Sequence, residues 1–177
     1  MGYRELLLVL VSVVLLTLLM TQINSQTVEG REALQELSLH QAAASLAQQF
    51  IEEARSKKFD ALVGVLAPGD MPDGFTPWNW LGHSGSESYP RFNDVDDYHG
   101  FSRTIYVNGA NTNLTGTDGI PFNVNIQVHY VSEANPDSAV SHETFLKRMT
   151  VNVTSSWLPT GTTVTLKHVF SYFGVNM

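Results

Sequence analysis

Leu6 to Met20 reads LLLVLVSVVLLTLLM, fifteen residues with no charge, no glycine and no proline. Extended to Ile23 the uncharged run covers 18 residues. As a helix it spans roughly 27 Å, at about 1.5 Å per residue, against the ~30 Å hydrocarbon core of a bilayer. A helix that is apolar on every side must be surrounded by lipid or by protein. Three readings follow: a cleaved signal peptide, a membrane span, or a helix buried in an assembly. Arg4 ahead of the apolar stretch and small polar residues near Ser25 fit the signal peptide loosely. Myristoylation is disfavoured, because Leu6 stands where Ser or Thr is expected after a Met-Gly start.

The helical pattern continues beyond the apolar run. Thr21 to Thr27 is polar and weak in helix propensity but holds no proline. After it, Leu34, Leu37, Ala44, Ala47, Ile51 and Ala54 recur at three- and four-residue steps, with Leu46 and Phe50 widening the stripe. This spacing predicts an amphipathic helix. Arg55, Lys57 and Lys58 in its last turn complement the helix dipole. A helix from about residue 3 to 58 would be roughly 80 Å long, so much of it must project or be covered by other chains.

Residues 60–102 contain Pro68, Pro72, Pro77 and Pro90 with many glycines, which predicts a long irregular connection. Trp78, Trp80, Tyr89 and Phe92 suggest that this connection packs onto the body. Residues 103–177 read as antiparallel sheet. Arg103 to Val107 is a short strand ending at the turn dipeptide Asn108-Gly109. From Phe122 to Tyr130, Phe122, Val124, Ile126, Val128 and Tyr130 alternate with polar residues. Thr144 to Trp157 puts Phe145, Met149, Val151, Val153 and Trp157 on one face. After a Leu158-Pro159-Thr160-Gly161 turn, Val164, Leu166, Phe170 and Tyr172 align in the return strand. Such period-two patterns indicate a sheet with one face on a core.

The expected architecture is therefore α+β. A hydrophobic helix (1–27) leads into an amphipathic continuation packed on the head (28–59), then the connection (60–102) and the sheet (103–177). The 177 residues carry a net charge of -7, no cysteine and 15% charged residues. Residues 1–59 hold five Lys/Arg against six Asp/Glu, a net of -1, which leaves -6 in the head. The acidic balance disfavours nucleic-acid binding. Without cysteine there is no disulfide framework and no thiolate chemistry.

Glu5 stands one step ahead of the apolar run. In one reading it is a helix-start acid favoured by the dipole, paired with Arg4. In the other it awaits a cation from a neighbouring chain, most economically an α-amino group. Glu5 followed by LLLVLVSVVLL, with the helix end AQQFIEEARSKKFD at Ala47 to Asp60 and a helix-then-sheet order, resembles the type IV pilin-like family, which includes type IV pilins and type II secretion pseudopilins. Met1-Gly2-Tyr3-Arg4 stands where that family commonly has Phe-Thr-Leu-Ile, and its helix-breaking proline has no counterpart near Gln22.

The resemblance implies that Glu5 neutralises the amine of an adjacent subunit's Met1 and that the N-terminus is methylated. It implies a filament core made by Leu6, Leu7, Leu8, Val9, Leu10, Val11, Val13, Val14, Leu15, Leu16, Leu18 and Leu19. The expected partners are further copies of the chain, the inner-membrane assembly machinery, a prepilin peptidase, and the cytoplasmic membrane before export to a surface filament. If the helix melts locally in an assembled fibre, Thr21 to Thr27 is the candidate segment. A pseudopilin and a single-span membrane-anchored binding module are the alternatives.

Asp94, Asp96 and Asp97 lie close enough to offer hard oxygen ligands to Ca²⁺. Their spacing is not that of an EF-hand, and a solvated turn with local capping is the favoured reading. The histidines, His40, His83, His99, His129, His142 and His168, show no metal-ligand spacing. Trp78 and Trp80 are read as loop packing ahead of a carbohydrate or partner surface. Asn113-Leu-Thr115 and Asn152-Val-Thr154 match the glycosylation sequon, the second inside a strand. No nucleophile elbow, Walker loop or dinucleotide fingerprint is present in the sequence, and no enzymatic activity or cofactor is expected.

Overall fold

A computed structural model describes residues 2–62, 74–83, 85, 87–108, 111–113 and 118–174, with backbone alone at 111–113 and 174. Helix α1 runs Tyr3–Arg55. Five strands follow: β1 Ser102–Asn108, β2 Asn111–Asn113, β3 Ile120–Tyr130, β4 Leu146–Thr154 and β5 Val164–Ser171. The fold is α+β. The chain divides into two compact units, one ending at Leu39 and the other starting at His40.

In the first unit every described side chain up to Ser38 is exposed. The helix starts with reciprocal capping: Glu5 N–H donates to Gly2 O at 2.9 Å, and Gly2 N–H donates to Glu5 Oε2 at 3.2 Å. This places Glu at the third helical position, where it reaches back to an otherwise orphan donor. Inside the apolar run, Ser12 Oγ donates to Val9 O and Thr17 Oγ1 to Val13 O, both at 2.8 Å. The hydroxyls thus need no water, which suits a helix surrounded by lipid or by like helices. Thr21 to Thr27 is α-helical throughout, with Thr21 and Thr27 bonded back to Thr17 O and Ile23 O. Leu34 and Leu37, expected on the packing stripe, are exposed. Periodicity shows that a face is apolar but not what covers it.

In the second unit, the end of α1 buries Ala43, Leu46, Ala47, Phe50, Ile51 and Ala54. The buried stripe passes through Ala43, while Ala44 is half-buried. Phe50 fills the space beside Phe101, with ring centroids 5.4 Å apart. Burying one such side chain stabilises by about 1.5–3 kcal/mol.

The sheet order is β2-β1-β3-β4-β5, antiparallel at each pairing. Register sets Ile126 opposite Val151 and Val151 opposite Leu166, so one face stacks apolar rows across three strands. Ile105, Phe122, Val124, Val128, Met149 and Val153 complete that buried face. Gly119, at φ +129°, closes the approach to β3; a Cβ there would lie 2.5 Å from Val107 O. Only glycine fits that position.

The connection packs through Phe75, Phe92 and Tyr98, all buried, and through the half-buried Tyr89. Trp78 and Trp80 do not pack as expected and are exposed. Trp157, expected on the inner face of β4, lies beyond the strand end and is also exposed. Pro68, Pro72 and Gly109 lie outside the described residues.

Candidate functional site

Two features of the chain are built for more than packing. One is the exposed apolar helix. Its best 18-residue window has mean hydropathy 2.7, with none of the window buried. The helix is long and apolar enough to cross a membrane. Leu6, Leu7, Leu8, Val9, Leu10, Val11, Val13, Val14, Leu15, Leu16, Leu18 and Leu19 are all exposed large apolar side chains. Glu5 sits at the start of this run with one oxygen engaged by its own backbone, and Met1 lies outside the described residues.

The other feature is a buried ionic cluster in the head. Alternation along β4 turns Lys147 inward with Met149, Val151 and Val153. Its ladder neighbours are Tyr130 on β3 and Phe170 on β5. Lys147 Nζ donates to Asp96 Oδ1 at 2.6 Å, Phe59 O at 2.9 Å and Asp60 Oδ2 at 3.0 Å. The ammonium also lies 4.6 Å from the Phe59 ring centroid and 5.1 Å from that of Tyr130. Neither the Lys147 nor the Asp60 side chain reaches solvent, and Asp96 is 4% exposed.

Each acid is positioned by local backbone. Asp60 follows the helix end; it accepts from Leu62 N–H at 3.0 Å, Thr76 N–H at 2.8 Å and Thr76 Oγ1 at 3.2 Å. A parallel bridge joins Lys58 to Asp94, with Val95 N–H donating to Lys58 O at 3.0 Å. That bridge brings the 3₁₀ turn Asp96–Tyr98 against the helix exit. Asp94 Oδ2 accepts from Ala61 N–H at 2.7 Å, and Asp94 Oδ1 accepts from Asp97 N–H at 3.1 Å. Asp97 Oδ2 accepts from Asn93 N–H at 2.8 Å.

Asp94 and Asp96 therefore converge as part of one group, but their third member is Asp60, and Asp97 serves to cap the turn. One ligand-type oxygen from each of Asp60, Asp94 and Asp96 lies within 4.8 Å of the others. Ca²⁺ would need several such oxygens. Lys147 already supplies a cation to two of the three acids, so the donor set is arranged around an internal ammonium. Burial, then the neighbouring Asp96 and Asp97 charges, pushes the Asp94 carboxyl up to about 7. Burial also raises Asp97, opposed by the Asn93 and Asp94 N–H groups. Burial raises the Tyr130 hydroxyl, with the Asp60 and Asp96 charges adding to the effect.

A half-buried carboxylate, Glu53, ties the helix to the connection. Tyr89 Oη donates to Glu53 Oε2 and Tyr98 Oη to Glu53 Oε1, each at 2.9 Å. Burial and Glu53 together raise both phenols. Asn152, on the other face of β4 from Lys147, accepts from Thr165 Oγ1 at 2.7 Å; the Asn113 side chain lies outside the described residues. Among the described residues the histidines join no metal-type cluster.

Lys147 and Asp60 are absent from the sequence reading of the site. The signal for Lys147 was available: the alternation that sets Met149, Val151 and Val153 inward also sets residue 147 inward. A lysine on a core face needs a buried anion. No family model, curated protein or solved structure matches this chain.

Proposed function

We propose that the chain is the structural subunit of a type IV pilin-like filament, held in the cytoplasmic membrane by its apolar helix until it joins a surface fibre. The carrying observation is the wholly exposed apolar run at the start of a 53-residue helix whose last turns are buried in the head. Such a run in water is unfavourable by roughly 25 cal/mol for each Å² of apolar surface left exposed. Lipid removes that penalty, and so does a bundle of like helices. Transfer from one to the other therefore need not expose the run to water. The acidic head would form the outer surface of the fibre. Energy for assembly would come from other proteins.

Electron microscopy of sheared surface material, with mass analysis of the N-terminal peptide, tests this reading. The expected result is filaments containing this chain with a methylated N-terminus. Protein found only in membranes, with no polymer, would sink it. Short periplasmic polymers tied to secretion would move it to the pseudopilin branch of the same family.

One observation favours a second reading, a single-span anchor carrying a binding module. The Glu5 carboxylate already caps its own helix, as it would in a chain that never pairs with a neighbour's amine.

A further inference from the structure

The geometry points to an intramolecular isopeptide bond between Lys147 Nζ and Asp96 Cγ, which covalently ties β4 to the turn near the end of the long connection. The amine lies 2.6 Å from an Asp96 oxygen. Among the described residues Lys147 is the only donor to that carboxylate. Asp60, in contrast, is held by four further donors, three from Leu62 and Thr76 and, at 3.5 Å, the Tyr130 hydroxyl. Asp60 is thus held in place by its other partners, and Asp96 is the acid free to be attacked.

Condensation requires a neutral amine, a protonated carboxyl and no bulk water. Lys147 and Asp60 are fully buried beside the Phe59 and Tyr130 rings, where water is excluded. Asp94, with an oxygen within 4.8 Å of both other acids, supplies the protonated group; its carboxyl is raised to about 7. Asp60 takes a proton from the Lys147 ammonium, and Asp94 protonates Asp96. The Nζ–Cγ bond forms and one Cγ–Oδ bond breaks. The two protons lost by the ammonium leave with that oxygen as water, and Asp60 and Asp94 return to their starting states. No oxidant or reductant is consumed. The product is a neutral amide in place of a buried charge pair, which lowers the desolvation cost of the site. In a chain with no cysteine it would be the covalent tie of the head.

Intact mass of the full-length chain, purified in detergent and then denatured, tests the bond. The expected mass is one water below that of the sequence, after any N-terminal methyl group is counted. Digestion should yield a branched peptide joining the Lys147 and Asp96 segments. Lys147→Arg should return the full sequence mass and lose the branched peptide. A wild-type chain at full sequence mass overturns the proposal, even if the variant fails to fold. A branch to Asp60 overturns the choice of Asp96. Loss of water confined to an unbranched peptide, such as a succinimide at Asp118-Gly119, also overturns it.

Discussion

Lys147 on β4 and Asp60 at the exit of α1 lie 3.0 Å apart, Nζ to Oδ2, with neither side chain reaching solvent. This contact joins the sheet to the segment leaving the helix. Losing one member of such a pair leaves the other charge buried and uncompensated, at a cost of about 3–5 kcal/mol. Lys147→Met, which also forgoes the bond to Asp96, is therefore expected to destabilise the head by at least that amount. Fluorescence of Trp78, Trp80 and Trp157 during denaturant unfolding of the full chain in detergent is the measurement. Adding Asp60→Asn to Lys147→Met should cost less than the two single changes summed, because the second change removes an orphaned charge. Strict additivity would mean that the two groups do not interact.

Acidity should act on the head through Asp94. Its carboxyl titrates near 7 in the fold against about 3.8 unfolded, mainly because it is buried. The folded state holds this proton more tightly, so the stabilisation is complete below about pH 3.8 and is lost as pH rises through about 7. His129 and His168 act in the opposite sense. Burial lowers both, so their contribution is lost as pH falls. Asp94→Asn keeps one of the two acceptors, for Ala61 N–H or for Asp97 N–H, and removes the carboxyl titration; the lost hydrogen bond adds an offset that does not vary with pH. Subtracting the variant's unfolding temperatures from those of wild type should leave a curve that declines from about pH 4 to about pH 7. A flat difference would place the titration elsewhere.

At Glu5 the cap and the charge can be separated. Glu5→Gln keeps an oxygen that can accept the Gly2 N–H, so the helix start should hold, while the charge needed to pair with a neighbour's amine is gone. Glu5→Ala loses both and should fray the first turn, by about 0.5–2 kcal/mol for a lost cap. If the charge serves assembly, both variants will yield few filaments, counted in sheared material, with unchanged unfolding of the head. Normal filament yield from Glu5→Gln would limit Glu5 to capping.

The strands of the head were legible because alternation is a local signal with a direct physical cause. Val124, Ile126 and Val128 point inward wherever the sheet lies. The same rule applied to residue 147 gives a buried lysine, which the apolar tally of Phe145, Met149 and Val151 passed over. Asp60 was harder to see. It lies 36 residues from Asp96 and 87 from Lys147 in the sequence, and the acids meet through long-range contacts such as the bridge between Lys58 and Asp94. Leu34 and Leu37 show the complementary limit. Their three-residue step matches that of Ile51 and Ala54, yet they are exposed, because a helical stripe does not specify its partner.

The apolar run itself makes the simplest claim to test. Val14 stands at the middle of the uncharged stretch Leu6 to Ile23, and its side chain is exposed. Arginine at the centre of a membrane-crossing helix costs about 2.5–3.5 kcal/mol on insertion scales. The same change on a helix lying in water would cost almost nothing. Val14→Arg is therefore expected to shift the chain from the membrane pellet to the supernatant on alkaline extraction. Leu34→Arg, on an exposed apolar position outside the run, should leave that partition unchanged. Equal behaviour of the two variants would show that the run does not sit in lipid, and the membrane stage of the proposed assembly route would fall with it.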